Sequence, residues 1–584
     1  MDNTRSKSTS HHLLTIGLTD FYHAGALKGL IHRSQWPRFE TRIERNTLRT
    51  LELLDRCATK ATFFVMGWVA ERQPDLIQEV ARRGHEVANL GYYQRAIHEM
   101  TQGEFEEDLT RSQAAIEDAT GIKVLGYRLA RPLSRKEDLW ILDTLAKRQY
   151  AYDSSILPLF RSFSSEDWRC FPHQHRSGNN VIWEFPWSTW KCLGVRFPIA
   201  GGNYFRQFPH SVMKEGFIRW NRSCDAPFLM YFHVWDLDSE QPKISSASAL
   251  VRMRAYRNLH KMPGIIEDYL RANRFGTIAD HMGLRPTPCE PTVSRLLKHE
   301  PRVELEGEGV HPEVVVANKW LANSKESRPR LTIVVPCYNE EAVLPYLRNT
   351  LNSVKQSLAK EYRIHMIFVD DGSTDGTWQS LGQLFGSQPD SKLIRKLENQ
   401  GVTAAILTGI REAETELVCS IDCDCTYDPH QLESLIPQLT DGVDLVTGSP
   451  YHPQGKVFNV PAWRLGLSKI ASLLYRSVLR QKLYTYTSCF RVYRRSAVIN
   501  LDVKEAGFLG VAELLGKLDL QGSKIVECPT TLEVRLLGES KMKTARAIAG
   551  HFYLLGVFLA ARTRQALSGT RNEGICYRVD SGTH

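Results

Sequence analysis

The 584-residue sequence lacks any segment of roughly 20 consecutive apolar residues, the length that a membrane-spanning helix requires. It also lacks CxxC pairs among its twelve cysteines and a secretory signal in its polar start, MDNTRSKSTSHH. These absences predict reduced thiols and a cytoplasmic location. Nucleic-acid-binding motifs are missing too, so the formal charge of +9 permits anionic partners without predicting nucleic acid.

The chain is too long for one hydrophobic core, because single cores stop growing at about 250–300 residues. Residues 1–283 alternate strand-like apolar runs such as ATFFVMG with helical patterns such as RNTLRTLELLDRC. Residues 284–330 are rich in proline and charge without clear periodicity, which predicts a linker. A second α/β domain is predicted at 331–545, followed by a basic and apolar helix with a polar tail at 546–584.

The most apolar stretch of that last segment is AIAGHFYLLGVFLAAR, at 547–562. Basic residues flank it: Lys541, Lys543, Arg546, Arg562 and Arg564. One interpretation is a helix lying on an anionic membrane surface, at the inner face of the cytoplasmic membrane. The other is a C-terminal helix packed on its own domain with solvated ends.

Three predicted strands in the second half end in acidic loops, VVPCYNEE, VDDGSTDGT and SIDCDC. Ligands bind at the carboxyl ends of strands in open α/β sheets. Alternate residues of an extended strand end point the same way, so Asp422 and Asp424 can both approach one divalent cation. Their hard oxygen atoms favour Mg²⁺ or Mn²⁺, which would neutralise the diphosphate of a leaving nucleotide.

At these intervals the three motifs resemble the inverting family 2 glycosyltransferases, which have the GT-A (Rossmann-like) fold. The resemblance covers about 331–545, and the polyprenyl-phosphate transferases, of the dolichol-phosphate mannose synthase type, are the most similar branch. It implies a nucleotide diphosphate sugar as the donor. The implied acceptor is a polyprenyl phosphate or a growing glycan, in cell-envelope or exopolysaccharide synthesis.

The same resemblance assigns roles to individual residues. Those implied in donor binding are Pro336, Tyr338, Glu340, Asp370, Asp371 and Asn399. Asp422 and Asp424 would hold the metal and the diphosphate, and Arg464 and Ser468 would meet the acceptor phosphate one helical turn apart. Further candidates for phosphate binding are Arg491, Arg535 and Lys541.

The need for a general base depends on the acceptor. A lipid phosphate arrives ionised and needs little help, whereas a sugar hydroxyl needs a carboxylate base. Glu513 is the candidate for that base, and a buried or solvated helix glutamate is an equally good interpretation.

The chain departs from the lipid-phosphate branch in three places, which leaves the acceptor open. Pro450 stands where that branch usually has the Arg of Gly-Ser-Arg. Thr485 replaces an Asp, and Cys489 replaces the Gly of TSGFR.

Six blocks in the first half, including LTIGLTDFYHAGAL, RGHEVANLGYYQR, GYRLARP and FLMYFHVWDLD, resemble the polysaccharide deacetylase family, a distorted (β/α) barrel. That family holds a metal with one Asp and two His and uses an acidic base. Asp20 remains here, but Leu90 and Gln94 stand at the histidine positions, and Gly17 and Thr19 replace the acidic residues. The resemblance therefore implies a barrel that holds no zinc and does not hydrolyse.

Arg128, His233 and Trp235 still stand where the family lines its substrate pocket. They suit either glycan binding or a structural network in the core. His85 and His98 could be proposed as substitute ligands, but core or capping roles are more common for such histidines. Two alternatives stay open for the whole chain: a bifunctional deacetylase–transferase, and a non-catalytic glycan-binding scaffold.

Overall fold

The described residues form two compact units. This computed structural model describes residues 12–133, 135–159, 163, 166–192, 195–289, 328–538 and 544–567, with side chains over 549–565 in the last range. The second unit contains the described residues from 328 onwards together with His32–Glu40 and Ile244–Ser246, and the first unit contains the rest. The sequence predicts both short segments in the first domain, because local patterns do not show which core a segment joins.

The first unit has eleven strands and ten α-helices among its described residues. The strands are β1 (His12–Leu18), β2 (Thr62–Val65), β3 (Glu86–Asn89), β4 (Gly126–Tyr127), β5 (Tyr152–Asp153), β6 (His173–Ser177), β7 (Asn180–Glu184), β8 (Thr189–Cys192), β9 (Val195–Pro198), β10 (Leu229–His233) and β11 (Phe275–Gly276). The helices are α1 (Ile43–Arg56), α2 (Gly67–Arg72), α3 (Pro74–Arg82), α4 (Gln102–Thr120), α5 (Trp140–Lys147), α6 (Asn203–Gln207), α7 (His210–Ser223), α8 (Ala249–Tyr256), α9 (Met262–Ala272) and α10 (Ile278–His281).

The sheet of the first unit runs in the order β10-β1-β2-β3-β4-β5-β7-β6, with β11 paired to β1. All pairs except β6–β7 are parallel, and the neighbouring strands β10, β1 and β2 are apolar runs buried on both faces. Local signals set the helix ends: α4 starts at a capping box between Thr101 and Glu104 and stops at Gly121, whose φ is 70°. The α/β class predicted for this half is confirmed.

The first residues of the predicted linker belong to this unit. The amide of Lys123 donates to the Thr287 carbonyl at 2.9 Å, and the amide of Cys289 donates to the Gly121 carbonyl at 3.0 Å. These bonds extend the ordered chain past the predicted boundary at residue 283.

The second unit has nine strands and eight α-helices among its described residues. The strands are β12 (Arg330–Cys337), β13 (Arg363–Asp370), β14 (Ser391–Arg395), β15 (Leu417–Ser420), β16 (Leu445–Ser449), β17 (Lys456–Phe458), β18 (Arg491–Arg494), β19 (Ile525–Pro529) and β20 (Thr531–Glu533). The helices are α11 (Leu344–Leu358), α12 (Thr377–Phe385), α13 (Val402–Glu412), α14 (Leu432–Leu435), α15 (Ala462–Val478), α16 (Arg495–Val498), α17 (Phe508–Gln521) and α18 (Thr544–Leu567).

Its main sheet runs β14-β13-β12-β15-β18-β16-β19, with β18 antiparallel to both neighbours and the other pairs parallel. The parallel strands β12, β13 and β15 end on the same edge, which brings their acidic loops together. Helix α13 packs closely on β12 because Gly409 has no side chain; a Cβ there would lie 2.3 Å from Val334 Cγ1. The predicted α/β class is confirmed for this half as well.

Helix α18 packs on its own unit through one face, as one of the two interpretations predicted. Phe558 is 1% exposed and covers Gly516 of α17, and the Tyr475 hydroxyl lies 2.7 Å from His551 Nδ1. The opposite face leaves Phe552 and Tyr553 more than half exposed. Over the described ranges, every helix is too short or too polar to cross a membrane.

Candidate active site

Asp424, which follows β15, is held on both carboxylate oxygens. Its Oδ1 accepts hydrogen bonds from the Thr426 amide at 3.0 Å and the Thr426 hydroxyl at 2.5 Å. Its Oδ2 accepts from Arg535 Nε at 2.5 Å. The side chain therefore has one orientation, set by its own loop and by a distant arginine.

Asp422 is the more unusual carboxylate of the pair. Burial and the negative charge of Asp424 raise its pKa to about 7, while the positive charge of Arg535 acts against this. Cys489, one of the three departures from the lipid-phosphate branch, hydrogen-bonds to Asp422, and burial raises the pKa of this thiol well above its usual range. A divalent cation between the two carboxylates would relieve their repulsion, so this donor set fits Mg²⁺ or Mn²⁺.

Arg535 joins two loops of the site. Besides Asp424, its guanidinium contacts Glu340, with Nη2 at 3.0 Å from Oε1. The amide of Glu340 donates to Thr377 Oγ1 at 2.7 Å, which fixes the start of the loop after β12. The sequence suggested Arg535 as a phosphate ligand; the structure places it in the site as the partner of two carboxylates.

Asp370 and Asp371, at the end of β13, accept hydrogen bonds from the backbone of the loops beside them. Asp371 accepts from the Gly401 amide at 2.6 Å and lies 3.1 Å from Lys396 Nζ. Asp370 accepts from the Ser373 amide at 3.0 Å. Of the remaining predicted donor residues, Pro336 and Tyr338 are half-buried at the end of β12, and Asn399 is exposed on the loop that Asp371 holds.

The predicted acceptor residues lie on or near α15. Arg464 is exposed, with its guanidinium 5.2 Å from the centre of the Trp463 ring, and Ser468 is half-buried and hydrogen-bonded by Tyr451. Lys541 lies outside the described residues.

Arg491 requires a correction, because the structure assigns it to the core. Its side chain is fully buried and donates to the Val511 carbonyl at 2.8 Å and the Tyr486 carbonyl at 2.9 Å. A guanidinium engaged with backbone carbonyls in the interior is not presented to a phosphate.

Glu513 also has structural partners. Its Oε2 accepts from the Lys504 amide at 3.0 Å and the Glu505 amide at 2.7 Å, and Lys517 Nζ lies 2.7 Å from Oε1. These bonds hold the loop whose Gly507 carbonyl accepts from Thr403 Oγ1 at 2.7 Å. The contacts favour the interpretation as a buried helix glutamate over that as a general base.

One departure from the lipid-phosphate branch, Thr485, lies beside the residue that precedes another. Ser449, which precedes Pro450, has its hydroxyl 2.9 Å from that of Thr485. The amides of Tyr484 and Thr485 donate to Glu527 at 2.7 and 2.8 Å. Glu527 was missed by the sequence analysis, since no motif marks a carboxylate on β19.

In the first unit, Asp20 is occupied by hydrogen bonds. Its Oδ1 accepts from the Phe21 amide at 2.9 Å, and its Oδ2 accepts from the Arg42 amide at 2.7 Å and from Thr41 Oγ1 at 3.0 Å. Leu90 is buried, and Gln94 adopts a left-handed φ of 54°. Across the described ranges, no group of three or more His, Cys, Asp or Glu side chains could hold a metal.

The two neutral replacements for acidic residues both contact His233. Thr19 Oγ1 lies 3.1 Å from His233 Nδ1, and a Cβ at Gly17 would overlap the imidazole ring at 2.2 Å. The ring also stacks on Trp235 with 5.5 Å between centres. Burial lowers the pKa of His233, so the imidazole is held neutral.

Arg128 and His85 belong to the core network rather than to an open pocket. Arg128 donates to the Ser154 carbonyl, the Ser154 hydroxyl and the Thr15 hydroxyl at 2.8–3.1 Å. His85 is buried and accepts from the Ala61 amide at 3.2 Å, which confirms the core interpretation. The side chain of His98 is 57% exposed.

Family models match both halves of the chain. Glycosyl transferase family 2 matches residues 332–502, polysaccharide deacetylase matches 36–143, and DUF3473, a domain of unknown function, matches 154–283. Together with the sheet order and the paired carboxylates, these matches define a glycosyltransferase unit of GT-A fold joined to a deacetylase-like unit.

Three curated relatives match the second unit. The dolichol-phosphate mannosyltransferase of Pyrococcus furiosus is 32% identical over 216 residues, which are 37% of this chain, and the chain spans only 59% of its length. The polyprenol monophosphomannose synthase of Mycolicibacterium smegmatis is 32% identical over 36% of this chain and 81% of its own. The undecaprenyl-phosphate mannosyltransferase of Micrococcus luteus is 31% identical over 36% of this chain and 87% of its own length. The chain belongs to glycosyl transferase family 2.

Solved structures match each unit at low similarity. A structure described as a polysaccharide deacetylase from Mycobacterium smegmatis shares 19% identity over 49% of this chain and 96% of its own, with a TM-score of 0.32. Glucosyl-3-phosphoglycerate synthase from Mycobacterium tuberculosis, in a complex that includes Mn²⁺ and UDP, shares 17% sequence identity with this chain. The match covers 40% of this chain and 80% of the synthase, with a TM-score of 0.31. Both TM-scores lie below 0.5, so neither match establishes a fold by itself.

The Glu513→Gln substitution distinguishes a structural role of Glu513 from a role as the general base. Glu513→Gln should lower the free energy of unfolding by about 1–3 kcal/mol, because Lys517 loses its partner and two amides share a weaker acceptor. Sugar transfer per folded molecule should stay within about threefold of the wild type. Loss of a general base would instead slow transfer by about 100- to 10,000-fold. Urea unfolding and initial transfer rates measure the two effects, with the exposed Glu414→Gln as the control.

Proposed function

We propose that the second unit transfers a sugar, with inversion, from a nucleotide diphosphate sugar to a polyprenyl phosphate, and that a glycan is the second candidate acceptor. The observation that carries this proposal is the Asp422–Asp424 pair at the end of β15, joined through Arg535 to Glu340 on the neighbouring strand's loop. The names of the three relatives all refer to the transfer of mannose to a dolichol or polyprenol phosphate.

In this proposal the residues of the chain act by positioning and by charge. Asp422 and Asp424 would hold a divalent cation, Mg²⁺ or Mn²⁺, whose charge offsets that of the diphosphate leaving group. Asp371 and Glu340 orient the loops that surround the nucleotide. Arg464 binds the acceptor phosphate, which is already ionised and so needs no general base.

A transfer assay tests the reaction class. The purified chain is incubated with Mn²⁺, a panel of UDP- and GDP-sugars and a short polyprenyl phosphate. We expect a lipid-linked sugar, and Asp424→Ala should reduce its formation at least about 100-fold through lost charge stabilisation. Asp441→Ala, which removes a fully exposed carboxylate of the same unit, is the matched control and should leave the rate unchanged.

Other outcomes of that assay are equally informative. Normal turnover by Asp424→Ala would overturn the proposed site. Binding of a nucleotide sugar without lipid product would transfer the proposal to a glycan acceptor. If no nucleotide sugar binds in the presence of Mn²⁺, the chain is better described as a glycan-binding scaffold.

We propose in addition that the first unit does not hydrolyse acetylated sugars. Support comes from Asp20, whose carboxylate is taken up by three hydrogen bonds, and from His233, whose ring fills the space left open by Gly17. A water-activating metal site needs ligands that point at a common centre, and these side chains serve loop structure instead. The bifunctional alternative would require a rebuilt set of ligands.

Metal content tests this second part. After dialysis against zinc-containing buffer, the full chain should retain well under one zinc per molecule, with no release of acetate from acetylated glucosamine oligomers. Stoichiometric zinc that disappears in Asp20→Asn would contradict the proposal and restore the bifunctional alternative. Thr41→Val, which removes one hydrogen bond to Asp20 without removing the carboxylate, is the control.

Peripheral contact with an anionic membrane completes the proposal. Helices α15 and α18 contain no Asp or Glu, and each carries three arginines or lysines. They pack together through Tyr475 and His551, while their outer faces expose apolar side chains. These outer residues are Trp463, Leu467, Ile470 and Leu473 on α15, and Phe552, Tyr553, Val557 and Leu559 on α18. Exposed apolar stripes bordered by cations suit the headgroup region of anionic lipid.

Vesicle co-sedimentation tests this contact. Leu473→Glu should weaken binding to phosphatidylglycerol-containing vesicles by about tenfold, because it removes apolar area and adds a repelled charge. Raising the salt concentration should weaken wild-type binding. Leu250→Glu, at a similarly exposed leucine of the first unit, should bind like the wild type. Equal binding of all three proteins would overturn the proposed surface.

A further inference from the structure

The second unit is discontinuous in sequence, and its early segment contacts the loops of the active site. His32–Glu40 includes a short 3₁₀ helix, Arg33–Arg38, and belongs to the second unit although it lies about 290 residues before β12. Arg38 Nη2 lies 2.5 Å from Asp428 Oδ2, and Gln35 Nε2 donates to Glu533 Oε2.

Both partners stand close to the carboxylate site. Asp428 is four residues after Asp424 and caps the 3₁₀ helix Pro429–Gln431 by accepting from the His430 amide. Glu533 is two residues before Arg535, and its amide donates to the Thr426 carbonyl at 2.9 Å. The early segment therefore contacts both stretches of backbone that carry the Asp424–Arg535 ion pair, the loop after Asp424 and the strand before Arg535.

The early segment is itself anchored firmly. Asn349 of α11 donates to the carbonyls of Arg38 and Phe39 at 3.1 and 3.3 Å. The Phe39 ring packs edge-on against Tyr346 with 5.0 Å between centres. Arg38 is only 9% exposed, so its pair with Asp428 is screened little by solvent.

A second early segment restrains the same region. The Ser245 amide donates to the Leu536 carbonyl at 2.8 Å, and its hydroxyl lies 3.2 Å from the same atom. Leu536 directly follows Arg535. Arg535 is thus bracketed by Glu533, which Gln35 contacts, and by Leu536, which Ser245 contacts.

We propose that Arg38, supported by Gln35 and Ser245, is a positioning residue of the transferase site. It acts through Asp428 on the loop 424–428 and so sets where Asp424 meets Arg535. Arg38 touches neither substrate nor metal in this role. The expected effect on the transfer rate rests on the proposed transferase function. The expected effect on the order of the loop 424–428 does not.

The first test is hydrogen–deuterium exchange on the full chain. Arg38→Met keeps the apolar stem and removes the charge, and should speed amide exchange over 424–431 by about tenfold or more relative to wild type. Arg411→Met, an exposed arginine of α13, should leave these amides unchanged. Unchanged exchange in Arg38→Met would overturn the inference whether or not the chain proves to be a transferase.

The second test is a double-mutant cycle on the transfer reaction. Arg38→Met and Asp428→Asn should each lower kcat by about 10- to 100-fold, and the double variant should be no slower than either single one. Arg38→Lys should recover part of the rate. Additive losses, or equal rates in Arg38→Met and wild type, would overturn the inference. A wild type without any transfer would refute the proposed function, and the exchange experiment would then decide the inference alone.

Ser245→Ala is a third test, in a variant that should barely perturb folding. It removes the Ser245 hydroxyl and keeps the hydrogen bond from the Ser245 amide to the Leu536 carbonyl. It should raise the exchange rate over 531–537 by a factor of about two to five and leave 424–431 nearly unchanged. A uniform rise across the whole unit would indicate general destabilisation and would count against a local positioning role.

Discussion

The ion pairs of Arg535 with Asp424 and Glu340 link the two loops of the candidate active site in the second unit. Two carboxylates on loops from neighbouring strands would repel each other, and Asp422, whose pKa is raised to about 7 by burial and by Asp424, adds to this repulsion when it is ionised. One guanidinium placed between them offsets this repulsion, because its planar group can bond two carboxylates at once. The site is consequently charged and preorganised, which is the condition for electrostatic catalysis on a diphosphate leaving group.

Four residues that depart from the family patterns lie against polar side chains. Ser449 contacts Thr485, Cys489 contacts Asp422, and in the first unit Gly17 and Thr19 both contact His233. A charged residue without a partner in the interior would be costly, and a neutral replacement avoids that cost.

Much of the fold was predictable from the sequence. Strands such as β12 and β13 are apolar runs with acidic residues at or just after their ends. This local pattern predicts both the strand and the position of the candidate site. The pattern could not show the roles of Glu513 and Arg491, since a buried charged residue and a ligand-binding one look alike in sequence. Glu527 and Arg38 were missed for a related reason: each acts on a loop that is distant along the chain.

The sequence by itself determined the two α/β halves, the position of the Asp422–Asp424 pair after a strand, and the presence of Leu90 and Gln94 where the deacetylase resemblance expects histidines. Hydrophobic periodicity and chemical type are local properties, so they can be read along the chain. Only the tertiary structure decided which core the segment His32–Glu40 joins, which carboxylates Arg535 binds, and that Arg491 is buried. Those outcomes depend on long-range packing, in which the partner of a side chain is set by the folded backbone and not by its neighbours in sequence.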